Sequence, residues 1–366
     1  MKIFYDGFIF LQQKYGGINR LFIEITKRIP DIDSALMFYC YRFPDSFKKN
    51  TLLKREYFMI PKFGGLLKRL DAIFLSKVIK KHAPDIYHTT YYRVPCNLKV
   101  KTVVTVYDMI HEKYKKYFGN TEKLLKRKKY CIENADKIIT ISKNTKNDIL
   151  NHYEIPNNKV SVTHLAASSI FKEATEYEKN EFKNKNRLKN PFILYVGERK
   201  GYKNFITLLK AYSLWKKNKE IDLICAGGDK IWDKEESKII SDSNLYLSVK
   251  TFSGVSDKDL RLFYSSALIF IYPSLYEGFG IPILESMACG TPVIVANTSS
   301  MPEVAGDSGL YFNPMSKEEL LEVLDKVVED SILRKELISK GLNRSKSFSW
   351  EKTALETYSI YKELTK

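Results

Sequence analysis

No run of about 18 consecutive apolar residues, the length a bilayer-spanning helix needs, occurs in the 366 residues of this chain. Its start, MKIFYDGFIF, carries Asp6 within the apolar run and has no cleavage-site pattern, so it reads as a first strand and not as a secretory leader. Cysteines are few: Cys40, Cys96, Cys131, Cys225 and Cys289 are odd in number and scattered, with no Cys-x-x-Cys or Cys/His cluster. That pattern excludes a disulfide framework and a structural zinc site, and it points to a reducing cytoplasm. No 20 to 50 residue repeat is present, which excludes a solenoid.

Positive charge is what the chain has in excess, at a net +17, but only in one half. Residues 1–170 hold 31 Lys and Arg against 15 Asp and Glu, whereas residues 171–366 hold 29 against 28. A field confined to one half points to a function for it beyond solubility.

Short apolar runs alternate with helical patterns throughout. The first set comprises KIFYD, ALMFYC (35–40), REYFMI (55–60), DIYHTT (85–90), TVVTVYD (102–108), KIITIS (137–142) and KVSVTHL (159–165). The second comprises FILYVG (192–197), IDLICAGG (221–228), LYLSVKTF (245–252), ALIFIYP (267–273), PVIVA (292–296) and SGLYFNP (308–314). Each set predicts a parallel sheet with crossover helices, hence an α/β protein of two doubly wound Rossmann-like domains facing across a cleft. The expected division is 1–170, a polar linker over 171–190, a second domain over 191–346, and a C-terminal helix over 347–366. That helix places Trp350, Ala354, Tyr358 and Tyr361 at helical spacing.

The stretch LYEGFGIPILESMACGTPVIV (275–295) puts two carboxylates eight positions apart, Glu277 in a glycine loop and Glu285 in the helix that follows. Gly278 and Gly280 permit a tight turn, Pro282 suits a helix start and Gly290 a helix end. A helix start after a parallel strand attracts an anion, and carboxylates accept hydrogen bonds from hydroxyls. Two polyols flanking one anion describe a sugar nucleotide. The plainer alternative is a solvated loop glutamate and a helix-favouring one. In FILYVGERKGYKNF (192–205), Gly197 is followed by Arg199 and Lys203, cations suited to a diphosphate at a strand end. In TFSGVSDKDL (251–260), backbone near Val255 can meet a base edge ahead of the N-cap Ser256.

These three segments, followed by MPEVAGDSGLYFNP, resemble the GT-B fold retaining glycosyltransferases of group 1 or family 4 type, in order over about 190–350. The resemblance implies that Glu277 contacts the transferred sugar, Glu285 the ribose, and Arg199 with Lys203 the diphosphate. It also implies that the backbone of Gly278, Phe279, Gly280 and Ile281 completes the anion site. In the first half, YGGINRLFIEITKRI (15–29) matches the family's glycine loop at Gly16 and Gly17, with Arg20 beside it on the acceptor side. IYHTTYYRVP (86–95) and VTVYDMIHEKY (104–114) look like acceptor-facing segments. Many relatives have His where Tyr107 stands before Asp108, so Tyr107, Asp108, His88 and His111 are left to share that residue's work. Another departure is Tyr202 before Lys203, where relatives often have Arg.

The expected activity is metal-independent transfer of a hexose from a nucleotide-sugar donor, with retention, to a lipid-linked or surface-glycan acceptor. The leaving diphosphate would be carried by Arg199, Lys203 and helix starts, and no separate cofactor is implied. GDP-mannose is preferred because segments resemble those of mannosyltransferases building bacterial surface glycans; UDP-hexoses and a soluble acceptor stay open, as does an epimerase or phosphorylase. A nucleic-acid partner is disfavoured because no Arg/aromatic module accompanies the charge. Basic stretches at 65–82 and 111–130, including Lys126, Arg127, Lys128 and Lys129, point to peripheral docking on the anionic inner leaflet from the cytoplasm. Helices with solvated outer faces are the plainer account of that charge.

Overall fold

A computed structural model describes residues 1–13, 16–29, 35–38, 75–95 and 99–366. The expected strand at 55–60, and Leu66, Lys68, Arg69, Leu70, Ile73 and Phe74 of the basic stretch, lie outside these described residues. The chain forms two units, one of residues 1–165 with 349–366 and the other of residues 166–348.

In the first unit six strands form an all-parallel sheet: β1 Lys2–Tyr5, β2 Ala35–Phe38, β3 Ile86–Thr89, β4 Lys101–Val106, β5 Lys137–Thr140 and β6 Val160–Val162. Their spatial order is β2-β1-β3-β4-β5-β6. Val103, Val104 and Val106 of β4 and Ile138 and Ile139 of β5 are all buried, the unbroken burial that a parallel strand covered on both faces requires. The chain runs from β1 outward to β2 and returns to the other side of β1 as β3, so the strand order reverses between β1 and β3. The helix Trp350–Thr365 closes this unit, with Trp350, Ala354, Tyr358 and Tyr361 all buried and Arg28 bonded to Glu351 at 2.8 Å.

The second sheet is also six-stranded and parallel, with a different strand order. It contains β7 Phe192–Val196, β8 Asp222–Ala226, β9 Val249–Phe252, β10 Ile269–Tyr272, β11 Val293–Ala296 and β12 Gly309–Phe312. Their order is β12-β11-β10-β7-β8-β9, all parallel, so here the reversal falls between β7 and β10. Open α/β sheets bind ligands outside the strands' carboxyl ends at such a reversal.

The segment 171–190, expected as a linker, is instead part of the second unit. Thr175 and Glu178 form a capping box that starts a helix, Glu176–Lys185. Phe171, Phe182 and Leu188 are buried, Phe182 meets Phe263 edge-on at 4.7 Å, and Arg261 binds Glu178 and the carbonyls of Lys172 and Glu173. Few apolar residues suffice to anchor a polar segment when each is buried.

Candidate active site

The loops that leave β7 and β10, neighbours at the reversal of the second sheet, meet through one ion pair. Lys203 ends a 3-10 turn, Gly201–Lys203, and its Nζ donates to Glu277 Oε1 at 2.7 Å. Both side chains keep some exposure, 20% and 13%, so the pair can be reached. Burial pulls the Lys203 ammonium down, but the Glu277 charge, Tyr202 and the bond to Glu277 outweigh it, and the net shift is upward. The buried Tyr272 hydroxyl, raised well above its usual range by burial and then by the Glu277 charge, also bonds to that carboxylate.

Several residues that sequence reasoning missed hold this loop pair in place. Asn204, in the left-handed region at φ 57°, donates from Nδ2 to the carbonyls of Pro273 (3.0 Å) and Pro314 (2.8 Å), tying the two loops together. Leu275 N–H donates to Tyr202 O at 2.8 Å. Ser299 and Ser300 hydroxyls donate to the Glu277 carbonyl at 2.7 and 2.9 Å, and Ser300 also to the Phe279 carbonyl at 2.8 Å. With these carbonyls occupied by hydroxyls behind the loop, the turn is fixed as it enters the helix Ile281–Ala288. Gly280, its N-cap, has φ 104°, a conformation that favours glycine, and a Cβ there would stand 3.0 Å from Ile283 Cδ1. Pro282 lies in the first turn, and Gly290, at φ 75°, follows the C-cap Cys289. Gly278 precedes this turn, Phe279 is buried against Phe348, and Ile281 opens the helix. Glu285, one turn in, is buried and accepts from the Tyr264 hydroxyl at 3.3 Å. Gly197 follows β7 at φ 128°, and Gly228 passes so close that a Cβ there would stand 3.0 Å from Gly197 O. Val255 is half-buried after Gly254, whose φ is 66°.

Arg199 takes a different place from the diphosphate contact expected of it. It is buried and forms an ion pair with buried Glu236 at 3.0 Å. It also donates to the carbonyls of Asp229 (2.7 Å) and Ile231 (2.8 Å), and its guanidinium lies 4.5 Å from the Trp232 ring centroid. These contacts make it a brace for the 229–236 segment. Lys203 is thus the cation that the structure pairs with Glu277.

At the reversal of the first sheet stands Asp6, fully buried. It accepts from Phe8 N–H, the Tyr87, Thr89 and Thr90 hydroxyls and Thr90 N–H, binding the end of β1 to the end of β3. The glycine loop follows: Gly16 and Gly17 are exposed at the start of the helix Gly17–Arg28, Arg20 N–H returns to Gly16 O at 3.0 Å, and Arg20 is half-buried. Asp108 is half-buried after β4 and caps Ile110 N–H at 3.1 Å. His111 is half-buried against the Phe118 ring at 4.4 Å, its pKa lowered by burial against the opposing pull of Asp108.

Two of the residues expected on the acceptor side are interior. His88 is buried with Nδ1 bonded to the Tyr361 hydroxyl at 2.5 Å and Nε2 to Thr105 Oγ1 at 2.8 Å, and burial lowers its pKa to about 3. A neutral ring with both nitrogens partnered is a packing element. Tyr107 is buried and donates to the Thr90 carbonyl at 2.6 Å, its pKa raised well above the usual range by burial. Of the four candidates, Asp108 and His111 remain within reach of a ligand. The basic run 126–129 is also less uniform than its sequence: Lys128 is buried, donating to Asp108 O and paired with Glu112 at 2.9 Å. Among the described residues no helix is long and apolar enough to cross a membrane.

Residues 176–344 match the family described as glycosyl transferases group 1, and residues 15–166 match Glycosyltransferase Family 4. O-antigen chain mannosyltransferase B of Escherichia coli is 29% identical, over 95% of this chain and 96% of its own length. The serotype-specific mannosyltransferase WbdA of Escherichia coli is 31% identical over 69% of this chain, an alignment that spans 32% of that longer protein. Anabaena HepE, solved in complex with UDP and glucose, shares the fold at a TM-score of 0.78 over 98% of both chains, with 16% identity. The chain therefore belongs to the group 1 and family 4 glycosyltransferases, enzymes of GT-B fold.

Proposed function

We propose that the enzyme transfers a hexose, mannose in preference, from a nucleotide sugar to a lipid-linked or surface-glycan acceptor, with retention at the anomeric carbon and without a metal ion. The observation that carries this reading is the Lys203–Glu277 pair at the reversal of the second sheet, beside a helix start. An ammonium has three donors, and the bond to Glu277 uses one of them, so Lys203 can also meet the β-phosphate oxygen on which charge develops as the sugar leaves. Glu277, held by Lys203 and Tyr272, accepts from hydroxyls of the transferred sugar. In this reading Glu277 binds the sugar and is not the nucleophile. Retention then follows from departure and attack on one face, with the departing diphosphate taking the acceptor proton.

Lys203 supplies the positive charge that a divalent cation otherwise would. The sequence has two Asp-x-Asp spacings. Asp31 and Asp33 lie outside the described residues; at Asp257 and Asp259, Ser256 Oγ accepts from Asp259 N–H and caps the helix Asp257–Ser266. Mannose is preferred on the names of the sequence relatives, and the donor base stays open between guanine and uracil. Docking of the basic first unit on an anionic inner leaflet would bring a lipid-linked acceptor to the enzyme. The test is a nucleotide-sugar panel with a glycan acceptor, the product anomer read by NMR, in EDTA and without it. Inversion, or loss of activity restored by a divalent metal, would overturn the mechanism; transfer from no nucleotide sugar would overturn the function.

A further inference from the structure

The first unit carries a cavity of about 240 Å³ that none of the preceding roles uses. The helix Glu122–Asn134 lines it with Leu125, Lys126 and Lys129, which share a face because residues three and four apart lie side by side. Lys115 faces it from the turn Lys115–Tyr117, and His152 and Tyr153 from the end of the helix Lys143–His152. Its one carboxylate is Glu112. That group is neutralised from within: its side chain is 4% exposed, stands 2.9 Å from the buried Lys128 ammonium, and accepts from Tyr153 OH at 3.4 Å. Lys126 and Lys129 have their own partners, Glu122 at 3.0 Å and Glu133 at 3.7 Å, but all four side chains are well exposed. Such pairs are worth little and exchange readily for a doubly charged anion.

We propose that this cavity binds the phosphate or diphosphate of an amphiphilic phosphate ester, with Lys115, Lys126 and Lys129 on the phosphoryl oxygens and Leu125 with the Tyr153 ring against the first carbons of its hydrocarbon. The charge balance selects an anion, and the apolar wall selects one that carries a hydrocarbon. The buried lysine that neutralises Glu112 also donates to the Asp108 carbonyl, so the cavity shares a support with the segment that follows β4. A ligand held here is tied to the acceptor side of the reaction, and in this the proposal rests on the glycosyltransferase reading. The binding itself does not.

The test uses calorimetry on the full chain with a saturating nucleoside diphosphate, which fills the Lys203 site. The probes are inorganic pyrophosphate, a short-chain isoprenyl diphosphate and phosphatidylglycerol vesicles. The expected result is one further site for both diphosphates, tighter for the isoprenyl ester, and weakened about tenfold or more in Lys115→Ser/Lys126→Ser/Lys129→Ser. These three residues are exposed, and an unchanged melting temperature checks the fold. Leu125→Ser should remove the preference for the isoprenyl ester while pyrophosphate still binds. Absence of a further site, or equal binding by the triple variant, would overturn the proposal; so would vesicle binding lost in the triple variant without any binding of the soluble diphosphates, which would mark a membrane-contact surface. Because the readout is binding, a failure here is distinct from a failure of glycosyl transfer.

Discussion

Both units reverse strand order beside their first strand, yet they fill that place differently. In the first, Asp6 closes the reversal from inside: it has no exposure, and two hydroxyls and a backbone N–H from Thr89 and Thr90 converge on it. In the second, the bridging pair Lys203–Glu277 is partly exposed, and the acidic member is held on its backbone by Ser299 and Ser300. One reversal has become structure while the other has kept its charge available for chemistry. A shared topology therefore locates a candidate site, and exposure decides whether it is one.

Replacing the bridging groups tests that difference. Asp6→Ala strands several buried donors at about 1–3 kcal/mol each, so a stability loss of roughly 4 kcal/mol is expected by denaturant unfolding, with donor affinity of the folded fraction unchanged. A mild loss with abolished donor binding would reverse the assignment. Lys203→Ala and Glu277→Ala should each lower turnover by about 10²–10³, roughly 3–4 kcal/mol of transition-state stabilisation, while the unfolding midpoint stays near that of the wild type. Near-normal turnover in either would remove the second reversal as the reacting site. Arg199→Ala leaves Glu236 charged and buried, so it should cost about 3 kcal/mol of stability, partly recovered in Arg199→Met/Glu236→Met. A selective loss of turnover with normal stability would return Arg199 to the diphosphate. Glu285→Ala should chiefly weaken donor binding, about tenfold, read by titration with a nucleotide sugar.

A separate test concerns pH. His88 has a folded pKa near 3 against about 6.5 unfolded, so the unfolded chain binds the extra proton first. The contribution is complete above pH 6.5 and is lost progressively as pH falls toward 3. Thermal unfolding followed across that window should show the decline, and a flat profile would mean that His88 is not buried neutral in solution.

The strand pattern was legible because a strand covered on both faces must be almost continuously apolar, as at residues 192–196 and 269–272. Glu277 and Lys203 were legible as candidates because each stands in a glycine-bearing loop just after such a run. Their pairing was not, since it depends on β10 lying beside β7, a consequence of strand order that periodicity does not carry. The Arg199–Glu236 pair was hidden for a similar reason: a cation beside glycines looks alike whether it meets a ligand or a glutamate 37 residues on. His88 was worse, since one of its partners lies 273 residues away. Histidine identity alone cannot distinguish a packed ring from a working one.

The helix Trp350–Thr365 also sets an order of events during synthesis. Tyr361, on this last helix, reaches Tyr5 of the first strand at 3.0 Å, 356 residues earlier, and bonds to His88 as well. A chain emerging from the ribosome therefore exposes residues 1–165 long before their closing helix exists, whereas residues 166–348 are contiguous and complete once made. Making the N-terminal segment first therefore does not complete the first unit first. The buried bonds of Tyr361 to Tyr5 and His88 form only after residues 166–348 have been made.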